Sequence, residues 1–208
     1  MLDHAKLLKQ RRIDQKKHLW SQLKCDELYK RTVLIIGLGN IGKRTAALCK
    51  AFDMKVIGTK RRVEEVPNVD KVFPVSELIE YIPEADYVVV AAPLTPETKG
   101  MLGEAEFRAM KPTSHYINIG RGAVAEEPSL IKALEGKWFD GAYLDALEVE
   151  PLPEDHAFWD MENVLLVPHD SHSSPYIGDR IVNQFCVNLE RYVKGEKLNN
   201  ICDPGKGY

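Results

Sequence analysis

Three side chains in the second half of the chain could act together on a carbonyl that neighbours a carboxylate. Arg121 stands between Gly120 and Gly122, so a small anion could come close to its guanidinium. The planar fork of donors on an arginine suits a bidentate grip on a carboxylate and would also polarise the adjacent carbonyl. His169, in Pro168-His169-Asp170, is a candidate general acid–base. It would protonate a developing alkoxide in reduction and take the proton back in oxidation. Glu150, in the stretch Ala146-Leu147-Glu148-Val149-Glu150-Pro151, would hold the imidazole and favour its protonated form. Set beside a nicotinamide, an Arg, a carboxylate and a His suffice for reversible hydride transfer between a 2-keto and a 2-hydroxy acid. A small organic acid is therefore the expected substrate.

Each of the three follows a short apolar run: residues 116–119, 142–145 and 164–167. Similar runs at 33–36, 55–58 and 87–91 also read as strands, and 72–74 as a short strand or loop. Helices are predicted at 43–52, at 77–81 with Ser76 as N-cap, and from Pro96 or Thr98 toward Met101. Others are expected at 104–110, at 128–134 closed by Gly136, and over about 174–194, where apolar residues recur at helical spacing. This alternation predicts an α/β protein with a doubly wound parallel sheet. Ligands in such sheets gather outside the carboxyl ends of the strands, where Arg121, Glu150 and His169 fall.

The first such strand end carries Gly37-Leu38-Gly39-Asn40-Ile41-Gly42, a G-x-G-x-x-G between strand and helix. The first glycine permits the tight turn, the second admits a pyrophosphate against the backbone, and the third lets helix and strand pack closely. The pyrophosphate would sit on the helix N-terminus, among free N–H groups at the positive end of the dipole. The next strand departs from the usual pattern. Where an acid normally binds a ribose 2′-hydroxyl, the chain reads Thr59-Lys60-Arg61-Arg62, with no acid before Glu64. Those cations would meet a 2′-phosphate with charge-assisted hydrogen bonds, so NADP is expected in preference to NAD.

Composition limits the alternatives. The chain has 208 residues, 44% of them hydrophobic and 28% charged, with a net charge of −3, which argues against general nucleic-acid binding. No apolar stretch reaches the length of a membrane span, and no signal-peptide pattern opens the chain. Cys25, Cys49, Cys186 and Cys202 form no C-x-x-C pair, so reduced thiols and a cytoplasmic setting are expected. The segment 1–31 has nine Lys or Arg against four acids, with a ragged helical stripe of apolar residues. A solvated helix leaning on the rest of the protein is the simplest reading. His169, Asp170 and His172 lack further ligands at a suitable spacing, so no metal is expected there.

These motifs resemble the D-isomer-specific 2-hydroxyacid dehydrogenases, a family that includes phosphoglycerate dehydrogenases and glyoxylate/hydroxypyruvate reductases. The resemblance runs from about Glu27 onward, through Gly37–Gly42 and Pro93-Leu94-Thr95-Pro96-Glu97-Thr98. It continues through Asn118-Ile119-Gly120-Arg121-Gly122, Leu144-Asp145, Glu150-Pro151-Leu152-Pro153 and Val167-Pro168-His169. It implies a Rossmann-type NAD(P)-binding domain in which Arg121, Glu150 and His169 are catalytic. Glu150 is favoured over Glu148 because it directly precedes Pro151. Asp145 matches the residue that holds the nicotinamide carboxamide. With the glycine turn and the basic strand end, the expected cofactor contacts are Gly37, Gly39, Asn40, Ile41, Gly42, Lys60, Arg61, Arg62, Pro93 and Asp145.

The resemblance also implies a homodimer, and a division into a linker helix (1–30), a dinucleotide-binding domain (31–173) and a returning C-terminal helix and tail (174–208). Family members carry in addition a substrate lobe of about a hundred residues. The chain opens on residues that resemble the linker after that lobe, so weak turnover by this chain alone is expected. A dinucleotide-sensing regulatory module and a truncated remnant are the alternatives, and retention of all three catalytic residue types favours the enzyme. One local departure stands out. After His169 the family has a small apolar or glycine-containing turn, whereas this chain has Asp170-Ser171-His172-Ser173-Ser174, so Asp170 could compete with Glu150 for His169.

Overall fold

The computed structural model describes residues 1–202. Two short helices, α1 (Leu2–Ala5) and α2 (Leu8–Lys16), open the chain. They are separated at Leu7, whose φ of 52° lies in the left-handed region and interrupts the helix. There follow β1 (Thr32–Ile36), α3 (Asn40–Lys50), β2 (Lys55–Thr59), β3 (Lys71–Phe73), α4 (Leu78–Tyr81) and β4 (Tyr87–Val90). The chain continues through α5 (Glu104–Ala109), β5 (His115–Asn118), α6 (Glu127–Glu135), β6 (Gly141–Leu144), β7 (Val164–Leu166) and α7 (Ile177–Val193). The seven strands form one sheet in the order β3-β2-β1-β4-β5-β6-β7, with every pairing parallel. This is the doubly wound Rossmann-type arrangement expected from the sequence. Its crevice opens beyond the carboxyl ends of β1 and β4, on either side of which the strand order runs in opposite directions.

The continuous apolar character of the strands has a direct cause. Successive side chains of a strand point to opposite faces, and here helices cover both. Leu34 and Ile36 join Val88, Val90 and Tyr116 in one core, while Val33 and Ile35 join Val56, Val89 and Ile117 in the other. All five residues of β1 are buried. Helix α3 turns Gly42, Ala46 and Cys49 inward, a spacing that puts all three on one helical face.

Three local expectations fail for physical reasons. Residues 96–101 form a turn, because Thr98 Oγ1 accepts the Thr95 N–H at 2.8 Å, donates to the Pro93 carbonyl at 2.6 Å, and Gly100 adopts φ 63°. Ser76 is not the N-cap of α4. It lies inside a 3₁₀ turn, Val75–Glu77, that begins after Pro74, and Glu77 precedes the helix. Helix α3 starts at Asn40, directly on the glycine turn, and ends before Asp53, which adopts φ 54°.

Candidate active site

The cleft at the ends of β1, β2 and β4 has a volume of about 520 Å³. Gly37, Gly39, Lys60, Arg61, Arg62 and Pro93 all line it. The three turn glycines differ in what they make possible. Gly37 has φ 99°, and a Cβ there would lie 2.7 Å from the Ala92 backbone. A Cβ on Gly42 would lie 2.1 Å from the Gly37 carbonyl oxygen, so Gly42 brings α3 against the turn. At Gly39 a Cβ would meet no protein atom within 4 Å. Packing therefore explains Gly37 and Gly42, while Gly39 leaves open space at the N-cap of α3, where a pyrophosphate fits.

Thr59, buried at the end of β2, holds this turn. Its Oγ1 accepts the Gly37 N–H at 3.2 Å and its carbonyl accepts the Leu38 N–H at 3.0 Å. The basic end beyond it carries an ion pair between Lys60 Nζ and Glu64 Oε1. The Lys60 ammonium holds the exposed Glu64 carboxyl below its usual range. Asn40 and Ile41 are exposed in the first turn of α3.

Across the sheet, the loops after β5, β6 and β7 carry the other set of residues. Buried Asn118 shapes the first of these loops. Its Nδ2 donates to the Arg121 carbonyl at 3.1 Å, and its Oδ1 accepts the Gly120 N–H at 3.0 Å. Arg121 Nη1 donates to the Gly120 carbonyl at 2.7 Å. Gly122 lets the next loop approach, since a Cβ there would fall 1.9 Å from the Leu147 carbonyl carbon.

Glu150 Oε2 is 2.7 Å from His169 Nδ1, and Glu150 Oε1 accepts the Leu147 N–H at 2.8 Å. Burial raises the Glu150 carboxyl, but the Leu147 N–H, the His169 hydrogen bond and the positive charge of Arg121 outweigh it, so the group titrates below the usual carboxylate range. With Nδ1 directed at Glu150, Nε2 is the ring nitrogen outside that bond. The partner of His169 is Glu150 and not the adjacent Asp170. His172 sits edge-on to His169, with ring centroids 6.4 Å apart.

His169 has φ 51°, a left-handed conformation that costs a non-glycine residue about 1–2 kcal/mol. The turn around it is clamped two residues on. Asp145, only 2% exposed, accepts the Ser171 N–H at 3.1 Å on Oδ1 and the Ser171 hydroxyl at 2.5 Å on Oδ2. Asp145 thus anchors the loop that carries His169, and each carboxylate oxygen retains a lone pair for another donor. Thr59, Asn118 and Ser171 were not singled out as site residues from the sequence. For Thr59 and Asn118 the available signal was a polar residue closing an apolar strand, whereas Ser171 lies five residues beyond β7 and carried no such signal.

Residues 1–171 match the family described as D-isomer specific 2-hydroxyacid dehydrogenase, NAD binding domain. The chain is 36% identical over 178 residues to a glyoxylate reductase of Korarchaeum cryptofilum (strain OPF8), covering 84% of this chain and 53% of that protein. Identity to the glyoxylate reductase of Pyrococcus furiosus is 35% over 170 residues, with 82% and 50% covered. Among solved structures, an NADPH-dependent glyoxylate/hydroxypyruvate reductase from Sinorhizobium meliloti, in complex with NADP and sulfate, superposes with a TM-score of 0.89. It shares 30% identity and covers 100% of this chain and 66% of its own. A D-isomer specific 2-hydroxyacid dehydrogenase from Xanthobacter autotrophicus Py2, in complex with NADPH and MES, gives 0.89 at 31% identity, covering 100% and 85%. The chain spans about half the length of the curated relatives it matches. With the glycine turn, the basic strand end and the Glu150–His169 pair in place on this sheet, the chain belongs to the D-isomer specific 2-hydroxyacid dehydrogenases, with residues 1–171 matching their NAD-binding domain.

Proposed function

We propose that this chain provides the NADP(H) site and the acid–base residues of a reductase that interconverts small 2-keto and 2-hydroxy acids, with glyoxylate or hydroxypyruvate as the substrate type. The observation that carries the reading is the 2.7 Å bond from His169 Nδ1 to Glu150, whose other oxygen is tied to the backbone. It orients the ring and leaves Nε2 to face a substrate, which is what a proton donor to an alkoxide needs. Arg121 takes the substrate carboxylate and polarises the carbonyl. His169 delivers a proton from Nε2 in reduction and recovers it in oxidation, while Glu150 holds the ring. Asp145 keeps the His169 loop in place and offers its remaining lone pairs to the nicotinamide carboxamide.

Bound NADPH supplies the hydride. Gly37, Gly39 and the first turn of α3 would hold its pyrophosphate. Lys60, Arg61 and Arg62 would hold the 2′-phosphate, which then competes with Glu64 for Lys60. The Sinorhizobium and Xanthobacter structures are complexes with NADP and NADPH, in agreement with this preference. Association as a homodimer is part of the same proposal, supported by the exposed Ile181, Phe185 and Tyr192 on α7. A cytoplasmic setting agrees with four free thiols among the described residues.

Fluorescence titration should show NADPH binding about tenfold tighter than NADH, a difference of about 1.4 kcal/mol. Equal or reversed affinities would refute the assignment of Lys60, Arg61 and Arg62. In the same protein, His169→Gln should reduce glyoxylate-dependent NADPH oxidation by about 10²–10⁴-fold and leave NADPH affinity unchanged. Undiminished oxidation in that variant would remove His169 from the chemistry.

A further inference from the structure

Three ligand-bearing side chains meet at the end of the sheet where the strands begin, opposite the cofactor cleft. His4 comes from α1, His115 is the first residue of β5, and Asp140 directly precedes β6. One ring nitrogen of each histidine and a carboxylate oxygen of Asp140 all lie within 4.8 Å of one another. His4 Nδ1 is 3.2 Å from Asp140 Oδ2, and the two imidazole centroids are 4.6 Å apart.

The frame behind these side chains is well defined. Strands β5 and β6 pair His115 with Gly141, and the Asp140 N–H donates to the Ser114 carbonyl at 3.0 Å. Gly141 has no room for a side chain, since a Cβ would lie 2.4 Å from the Asn163 carbonyl oxygen and 2.9 Å from His115 Cε1. His115 Nδ1 is buried and has no hydrogen-bond partner among the described residues. A buried imidazole nitrogen without a partner is uncommon and calls for an explanation.

We propose that His4, His115 and Asp140 bind a zinc ion that clips α1 to the sheet. Zinc takes imidazole nitrogen and carboxylate oxygen at about 2.0–2.2 Å, which sets ligand atoms roughly 3.3 Å apart in a tetrahedral site. The His4–Asp140 separation already has that size. Small side-chain rotations would bring the remaining pairs to it, and water would take the fourth position. Two imidazoles and a carboxylate suit zinc better than magnesium or calcium, which prefer all-oxygen sites. Without metal, the same residues would form a His4–Asp140 ion pair with His115 stacked on it, and experiment separates the two cases.

The chelator-treated 208-residue chain, titrated with ZnCl₂ by calorimetry at neutral pH, should bind one equivalent saturably. Cobalt(II) should give the visible absorption of a tetrahedral site in the same stoichiometry. At a hundredfold excess over Kd, zinc should raise Tm by roughly 5–10 °C. Asp140→Asn and His4→Gln should each weaken zinc binding at least about tenfold, with NADPH affinity as the check that each variant is folded. Zinc affinity should be unchanged in a Cys186→Ser, Cys202→Ser, His172→Gln variant. No one-equivalent binding, full affinity in both Asp140→Asn and His4→Gln, or loss of binding in the triple variant would each overturn the proposal.

Discussion

The two sides of this sheet build their sites by different means. At β1, β2 and β4 the cleft is shaped by backbone and close packing. Every residue of β1 is buried, Gly37 has a conformation that favours glycine, and Gly42 presses α3 against the turn with no space for a methyl group. At β5, β6 and β7 the side chains proposed for acid–base chemistry hang from loops and are held by hydrogen bonds, Glu150 to His169 and Asp145 to Ser171. That side is also more open. No residue of β7 is fully buried, and α7 has no buried residue along its whole length. The first side is shaped mainly by packing, whereas the second relies more on side-chain hydrogen bonds that tie its loops.

This contrast can be broken most sharply at the glycines. Gly42→Ala should cost about 3 kcal/mol in urea unfolding, because the new methyl meets a carbonyl oxygen with nowhere to move. Gly39→Ala should change stability by less than about 0.5 kcal/mol, since its methyl enters open space. That same variant should weaken NADPH binding at least about tenfold. Similar unfolding midpoints for the two alanine variants would show that the cleft is not shaped by packing.

On the other side, Ser171→Ala should cost about 1.5–3 kcal/mol, the range for a hydrogen bond to a charged group, because it removes a donor from buried Asp145. It should also lower the glyoxylate rate by loosening the turn that carries His169. A stable variant with an unchanged rate would mean that Asp145 does not position this loop.

A smaller effect follows from pH. The folded Glu150 carboxyl titrates below its ordinary value of 4.5, so its contribution to stability is fully present above that value and is lost as pH falls through the lower folded one. The stability gap between wild type and Glu150→Gln should be constant from about pH 7 to 5 and shrink below about 4.5. A gap that widens on acidification would reverse the assigned sign.

The smallest expected effect is at the basic strand end. Glu64→Gln should tighten NADPH binding by about twofold to fivefold, by releasing Lys60 from an exposed ion pair, and leave NADH binding unchanged. Equal gains for both cofactors would detach Lys60 from the 2′-phosphate.

Much of this architecture was legible in the chain itself. Strand–turn–helix periodicity reports burial on one or both faces, a local property of neighbouring residues, and it predicted the parallel sheet. The glycine spacing reports local backbone conformation, so the position of the cleft followed. The expectations that failed lay at the ends of elements, where local turns set the boundaries. Thr98 diverts residues 96–101 from a helix, and the 3₁₀ turn after Pro74 places Ser76 inside it and not at the cap of α4.

By itself, then, the sequence determined the fold class, the glycine turn, the basic strand end, and the strand ends that carry Arg121, Glu150 and His169, because each is set by short-range pattern. Only the tertiary structure decided which acid reaches His169, that Ser171 secures Asp145 and that Lys60 pairs with Glu64. It alone brought His4 beside His115 and Asp140. Those pairings depend on the distances between loops that folding brings together, and sequence spacing carries no measure of that distance.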